Sequence, residues 1–490
     1  MTQDSTTAQE LFARILEVIE FPDNRSDVQN RLMHETLVQA CHEGLKGTRH
    51  GFGNLSSQVD SLCKQHHIKP QDTVAIHLMR RHSNSVAPIL HNDLLYDCRA
   101  LALFISAVFN TSIPSFLVGK IPTEGRRTAN IQIANYKYIR CTVQSWDDKY
   151  IKVNVLNQEC GEEEVLIDYI NTPEHIDLSY IRKILCEGMQ LNLLDCNVTR
   201  KRIVPRIIVV EPDFLVDISS IANCFEDYGP HPLLFTVNRL QARTATAATL
   251  LGNFAGTALD DIINNPNYNI NETLKANFRN KALDFATCTD FRSDVFKKDG
   301  TEQAQNIQDI VEELFKGYDR NKAILEPSFV CESLGIQGRV DLMTTDFRLL
   351  VEQKSGKNFY IANNRLNNHG SRYLEKHYVQ VLLYFGILQY NFNRSTRSTN
   401  IHLLYSKYPL PDGLLEVESL QSLMMEAIKF RNQVVATEYW IGDNDFAKLI
   451  PHFTPSTFQL NHCNQHFFQQ WILPRLTETL APLHTLTPLE

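Results

Sequence analysis

The stretch GRVDLMTTDFRLLVEQKSGK, residues 338–357, ends one apolar run on an acid and the next on an acid and a lysine. FRLLVEQK reads as a core strand, an apolar run bounded by turn signals. Side chains alternate along a strand, so Leu350, Glu352 and Lys354 share one face while Leu349 and Val351 point into the opposite layer. GIQGRVDLM reads as the preceding strand, and TTD as the polar turn between them. Pairing of the two as a hairpin brings Asp341 to Glu352 and Lys354. Charged groups are seldom buried in such segments unless paired or bound to a metal. Two converging carboxylates suit Mg²⁺, a hard cation that prefers oxygen ligands. A neighbouring lysine can orient or deprotonate water and stabilise charge on a phosphate, which is the equipment for phosphodiester hydrolysis. The alternative is a surface hairpin carrying a Glu–Lys pair, since the spacing D-x10-E-x-K is unspecific by itself.

Further support lies downstream. EKHYVQVLLYFGILQY, residues 375–390, is a strongly helical run. In it His377, Gln380 and Tyr384 fall at i, i+3 and i+7 and so share a face.

Together, GRVD, LLVEQKSGK and HYVQVLLY resemble the PD-(D/E)XK nuclease superfamily in its RecB-like branch, most closely the nuclease part of flap- and end-processing nuclease–helicase enzymes. The matching motifs cover roughly residues 250–390. The resemblance implies a restriction-endonuclease-like mixed sheet flanked by helices. It implies that Asp341 and Glu352 are metal ligands, with the backbone carbonyl of Gln353 as a further one, and that Lys354 is the catalytic lysine. Gln380 and Tyr384 would line the site. Val340 stands where the family pattern has proline, which touches no ligand. The branch usually supplies one more ligand, often histidine, from a helix ahead of the sheet. Here ATLLGNFAGTALDDII, residues 248–263, carries Gly252, Gly256 and Asp260 at four-residue spacing on one face. The two glycines would allow close approach to the sheet, with Asp260 in the histidine's place; Asp261 is the other candidate.

The remaining chain frames this site. At 490 residues it is long enough for two or three domains. Residues 1–130 read as mainly helical. Residues 131–230 read as a β-rich subdomain: the strand-like YKYIRCTVQ, YIKVNVL and EVLIDY form a meander that could belong to a small barrel able to bind nucleic acid, and IIVVEPDFLVDI reads as another strand. Residues 231–490 would hold the nuclease domain and a helical tail. The overall class is therefore α/β in its nuclease part and α+β as a whole.

With 56 acidic against 48 basic residues and a net charge of -8, the chain is not coated in positive charge, although a local basic channel is compatible with it. Lys357, Arg365, Arg372 and Lys376 cluster around the motifs and, with His377, are candidate DNA contacts; TRKRIVPR and GRR (125–127) are others. For each, the alternative is an ordinary solvated charge.

The N-terminus lacks the charged and apolar regions of a secretory signal. ALALFISAVF (100–109) is about half a membrane span and reads as a buried helix. The 11 cysteines are scattered without a C-x-x-C pair, which suits reduced thiols in the cytoplasm. Some relatives carry a four-cysteine iron–sulfur staple; here only Cys463 follows Cys331, so no cluster is expected. His462, Cys463 and His466 read as ordinary helix residues. No Gly-x-x-x-x-Gly-Lys-Ser/Thr loop occurs, so no ATP site is expected. The expected function is a Mg²⁺- or Mn²⁺-dependent deoxyribonuclease acting on single-stranded or flapped DNA in repair or replication, with a helicase as partner or missing region and no membrane role. The alternative is a non-catalytic nuclease-fold scaffold or nucleic-acid-binding module of a helicase complex.

Overall fold

The computed structural model describes residues 3–21, 26–46, 55–84, 91–125, 134–155, 165–172, 176–199, 202–226, 230–240, 245–265, 267–357 and 375–444, with short pieces between 446 and 474. It is a mixed α/β structure that divides into two compact units, one essentially residues 1–211 with 420–425, the other the bulk of 212–490. The division falls between Glu211 and Pro212, whereas the sequence predicts boundaries near 130 and 230. The helical and β-rich regions thus share the first unit.

In the first unit, helices α1 (Gln3–Ile19), α2 (Ser26–Gly44), α3 (Leu55–Gln65), α4 (Pro70–Ser83) and α5 (His91–Val108) pack around one core. The run ALALFISAVF lies largely in α5, where Leu101, Ala102, Phe104 and Ile105 are buried in that core. No described helix is long and apolar enough to cross a membrane.

Six strands follow: β1 (Ala134–Trp146), β2 (Tyr150–Val155), β3 (Val165–Asp168), β4 (Gln190–Thr199), β5 (Arg202–Val204) and β6 (Ile207–Val210). The order β1-β2-β3-β5-β4 closes on itself through β1–β4 pairing, giving a small five-stranded barrel with β6 added beside β4. All pairs are antiparallel except β3–β5. Alternation fills the interior with Ile139, Cys141, Val143, Ile151, Val153, Ile167, Leu191, Leu193 and Ile203. The expected single strand IIVVEPDFLVDI is broken: its first half is β6, beside the barrel. Its end is β7 (Val216–Asp217), which pairs in the second unit with a different sheet.

The second unit continues through α6 (Ile218–Ala222), α7 (Leu234–Leu240), α8 (Ala247–Asn264), α9 (Ile270–Asn280), α10 (Ala282–Thr287) and α11 (Ser293–Leu314). Thr246 starts α8 through a capping box with Thr249, satisfying amides left free at the helix start. Strands β8 (Ala323–Leu325), β9 (Ser328–Cys331), β10 (Ile336–Arg339), β11 (Leu342–Thr344) and β12 (Leu349–Lys354) precede α12 (Glu375–Phe392), β13 (Asn400–Tyr405), β14 (Leu414–Val417) and α13 (Gln421–Asp443).

The main sheet runs β14-β13-β12-β11-β8, and a small one runs β7-β10-β9. Only β12–β13 is parallel in the main sheet, and a parallel pair needs a crossover, here the segment containing α12. GIQGRVDLM is accordingly two strands: β10 belongs to the small sheet, and the chain passes at Val340–Asp341 into β11 of the main one. The expected helical tail contains β14, an edge strand paired with β13.

Leu342, Leu349, Val351 and Leu404 pack with α8 and α11 in one core, while Leu350, on the opposite face, is equally buried on the side of α12. At ~25 cal/mol per Å² of apolar area, burial of each such leucine stabilises the fold by roughly 2 kcal/mol. The strand carrying Glu352 and Lys354 is thereby clamped on both faces.

Candidate active site

Strands β11 and β12 form the expected hairpin, with Leu342 opposite Val351 and Met343 opposite Leu350. Extending this register sets Asp341 against Glu352, and Asp341 Oδ2 accepts the Gln353 backbone N–H at 2.6 Å. Glu352 and Lys354 point toward α12, where Gln380 meets both. Lys354 Nζ donates to Glu352 Oε1 at 2.8 Å and to Gln380 Oε1 at 2.8 Å, and Gln380 Nε2 donates to the same Glu352 oxygen at 2.7 Å. Two donors therefore converge on Glu352 Oε1. The other oxygen, Oε2, is buried with no hydrogen-bond partner. A bare carboxylate oxygen in a dry site is costly unless protonated or bound to a cation.

The titration behaviour of the acids reflects this. Burial pushes the Glu352 carboxyl up to about 8, opposed by the Lys354 ammonium and reinforced by Asp341. Asp341 is raised too, first by burial, while Lys354 and the Gln353 N–H hold it down. Asp260 rises to about 6 through burial and the neighbouring charges of Glu326, Asp341 and Asp261. Mutual repulsion among these acids is what a divalent cation relieves.

Helix α8 brings Asp260 here. A Cβ at Gly252 would lie 3.2 Å from Ser355 Oγ, so the glycine permits the helix to pass directly beneath the end of β12. At Gly256 the closest atom, Gln353 Oε1, would be 4.0 Å away, so that position has ordinary room. The two aspartates differ in surroundings. Asp261 Oδ2 accepts from Thr273 Oγ1 at 2.6 Å, which ties it to α9, whereas Asp260 feels Asp341 and Glu326.

Glu326 is the acid that sequence reasoning did not select. Its backbone N–H donates to Asp341 O at 3.0 Å, so Glu326, Asp341 and Glu352 stand in one row across β8, β11 and β12. Its carboxylate pairs with Arg339 at 3.1 Å. Only the Glu-Pro dipeptide at a strand end marked it, a signal too general to use before the pairing of β8 with β11 was visible. Gln303 and Asn306 of α11 were likewise missed: Gln303 Nε2 donates to Ser355 O at 3.1 Å and Asn306 Nδ2 to Ser406 O at 2.9 Å, while Ser406 N donates to Lys354 O at 2.9 Å. These bonds brace the backbone just beyond the lysine.

Tyr384 donates to Arg339 O at 2.7 Å, and its ring lies over Gly338, where a Cβ would come within 2.8 Å of Cε1. It thus fastens α12 to the segment entering Asp341. Burial, with the charge of Glu352, raises its hydroxyl well above the ordinary tyrosine range. His377 is held well below its usual value by burial and the nearby Lys354 and Lys376, and Nδ1 lies 2.9 Å from Tyr405 OH. It is half-buried, with the charge of Lys354 nearby. Lys376 pairs with Glu226 at 2.9 Å. Lys357 is exposed at the end of the β12 segment, and Arg365 and Arg372 lie outside the described residues, as do His462 and Cys463.

Glu352 Oε2, Asp341 and Asp260 supply hard oxygen atoms that fit Mg²⁺ or Mn²⁺. Among the described residues no group of three or more His, Cys, Asp or Glu side chains is gathered tightly enough to hold a metal by itself. No protein-family model and no curated protein matches the chain.

Proposed function

We propose that this chain is a divalent-cation-dependent deoxyribonuclease that hydrolyses phosphodiester bonds at single-stranded ends or flaps, in repair or replication and beside a helicase. The observation that carries the reading is the unpartnered, buried Oε2 of Glu352, a residue that stands opposite Asp341 and whose other oxygen accepts from Lys354. The five-stranded sheet with α8 and α11 on one face and α12 on the other supports reading the second unit as restriction-endonuclease-like. The motif resemblance supports the substrate and the helicase. A reducing compartment such as the cytoplasm suits the free cysteines, buried among the described residues except Cys186.

Asp341, Glu352 and Asp260, with the Gln353 carbonyl, would hold Mg²⁺ or Mn²⁺, which when bound supplies a Lewis acid and a template for the scissile phosphate. Lys354 supplies the mobile cation of the site. Once a phosphate oxygen competes with Glu352 for its ammonium, it stabilises the charge that develops there. Gln380 keeps Nζ within reach of both, and Tyr384 positions the chain entering Asp341.

The test compares the wild-type chain with Lys354→Ala on end-labelled single-stranded, flap and blunt duplex DNA with Mg²⁺ or Mn²⁺. Cleavage falls by about three orders of magnitude in the variant while circular dichroism is unchanged; full activity in the variant overturns the mechanism. The closed Lys354–Glu352–Gln380 triangle favours one second reading, a non-catalytic scaffold. Binding without cleavage by the wild-type chain on all three substrates would select it.

A further inference from the structure

The end of the second unit remote from Lys354 gathers aromatic rings and arginines. Between Glu375 and Asp412 the chain contains no acid, although acids outnumber lysines and arginines by 56 to 48 overall. That stretch covers all but the first residue of α12, the turn after it, and β13. It meets the β11–β12 turn at Phe347, where aromatic side chains cluster. The ring centroids of Phe347 and Phe392 are 4.7 Å apart, and Phe329 of β9 stands edge-on to Phe392 at 5.9 Å. Phe392, the last residue of α12, is 41% exposed, while Phe329 and Phe347 are half-buried. Phe347 is held there against its own backbone preference, with a φ of 60° that a bulky side chain rarely adopts. Its N–H donates to Thr344 O at 2.8 Å, and its carbonyl accepts from Thr399 Oγ1 at 2.7 Å. Such outliers persist where the surroundings over-determine them, and they gather at ligand clamps and switch regions.

Arginines border these rings. The Arg394 guanidinium lies 4.8 Å from the Phe347 ring centroid. Arg397 sits in the turn that the Ser398 N–H closes on Ser395 O at 3.0 Å. That turn is fastened to Phe347 at both ends, by Arg394 and by Thr399, which keeps Arg397 beside the cluster. Arg348 follows Phe347, and strand alternation sets it on the Leu350 face, the side of α12. Arg348 and Arg397 are exposed, and among the described residues none of these guanidiniums has a hydrogen bond or an ion pair. The adjacent acid, Asp346, is engaged: it accepts from Thr344 Oγ1 at 2.7 Å, the Arg348 N–H at 3.1 Å and the Lys322 ammonium at 3.1 Å.

Charge complementarity decides the occupant. Apolar rings bordered by arginines without acid partners fit an acidic segment that carries an aromatic or aliphatic anchor. A guanidinium meets a carboxylate with two parallel N–H bonds, and the anchor takes the apolar seat. Nucleic acid fits less well, because a base needs a free ring face, whereas the Phe347 ring is already shared between Arg394 and Phe392. We propose that Phe329, Phe347 and Phe392, with Arg348, Arg394 and Arg397, dock an acidic, aromatic-bearing segment of a partner protein. Phe347 and Lys354 stand at opposite ends of β12, roughly 20 Å apart at ~3.3 Å per residue, so a docked segment leaves the site around Lys354 open. The docking surface is independent of the proposed cleavage chemistry.

The test measures anisotropy of a fluorescein-labelled peptide in which aspartate pairs alternate with single phenylalanines, titrated with the full chain. Arg394→Gln/Arg397→Gln weakens binding by about tenfold, the worth of two exposed ion pairs. Phe392→Ala weakens it by about thirtyfold, as loss of an anchor contact does, whereas Phe392→Leu, which keeps an apolar group, stays within about fivefold. Binding weakens as salt rises from about 50 to 300 mM. Asparagine in place of aspartate in the peptide, or alanine in place of phenylalanine, costs about tenfold or more. Where Phe392→Ala lowers the melting temperature, the arginine pair decides the question alone. No binding of the acidic peptide, equal binding of the asparagine peptide, or unchanged affinity in the double arginine variant overturns the proposal. A labelled dT oligomer bound more tightly than the peptide in EDTA, and released by the same substitutions, makes this a nucleic-acid surface and overturns it too.

Discussion

Metal affinity should depend steeply on pH, because the candidate ligands hold protons that a cation must displace. The Glu352 carboxyl is pushed to about 8 and Asp260 to about 6. Between pH 6 and pH 8 one proton, that of Glu352, is released on binding, so the dissociation constant for Mn²⁺ falls about tenfold per pH unit. Over two units this is about a hundredfold, or ~2.7 kcal/mol. Below about pH 6 Asp260 contributes a second proton and the dependence steepens.

The metal-free protein must show the opposite trend. The folded carboxyl of Glu352 is raised from 4.5 to about 8, so the folded state binds the proton more tightly than the unfolded one. Its stabilising contribution is fully present below about 4.5 and is lost as pH rises through about 8. At ~1.4 kcal/mol per pH unit the full loss is several kcal/mol. Thermal melts at pH 6, 7 and 8, with EDTA or with Mn²⁺, read both effects: metal-free stability declines toward pH 8 while the metal-induced shift grows. Glu352→Gln, which has no proton to release, removes most of that growth. An Mn²⁺ shift equal at pH 6 and 8, or one of unchanged pH slope in Glu352→Gln, would refute the reasoning.

Other consequences are simpler to read. Gln380→Leu removes the amide that meets both Lys354 and Glu352; Glu352 then holds its proton more tightly, and the acid limb of the cleavage profile moves to higher pH, whereas an unmoved limb assigns Gln380 to packing alone. Gly338→Ala drives a methyl to 2.8 Å from the Tyr384 ring and costs ~1–3 kcal/mol of overpacking; urea unfolding measures it, and a neutral result means that the ring is free to move. Arg431 is fully buried, and its guanidinium donates to Gly335 O at 3.0 Å and Phe214 O at 2.5 Å. Arg431→Met strands the Phe214 carbonyl, whereas Gly335 O keeps the Val216 N–H at 3.0 Å; at ~1–3 kcal/mol for the lost partner the denaturation midpoint falls, and an unchanged midpoint shows that water replaces the guanidinium.

Several elements were legible because their signals are local. The alternation in LLVEQK sets Leu349 and Val351 against Leu350 and Glu352 whatever the sheet around them, and the helical spacing in HYVQVLLY puts Gln380 and Tyr384 on one face. The sequence left Asp260 and Asp261 as neighbours with equal chemistry. Thr273, twelve residues on, separates them by taking Asp261, and no local pattern records that bond. Closure of the barrel was similarly invisible, since β1 meets β4 across more than forty residues of intervening chain.

By itself, then, the amino-acid order determined which segments are strands and helices around the site, and which of their faces carry Asp341, Glu352, Lys354 and Gln380. Periods of 2 and 3.6 are properties of the backbone and need no partner. Only the tertiary structure decided that Val340–Asp341 is a passage between two sheets, that Glu326 stands in line with Asp341 and Glu352, and that His377 meets Tyr405. Each of these depends on which distant strand supplies the neighbouring hydrogen bonds. That choice is made by the packing of whole layers, with α8 and α11 on one face of β12 and α12 on the other, rather than by any residue's own preference.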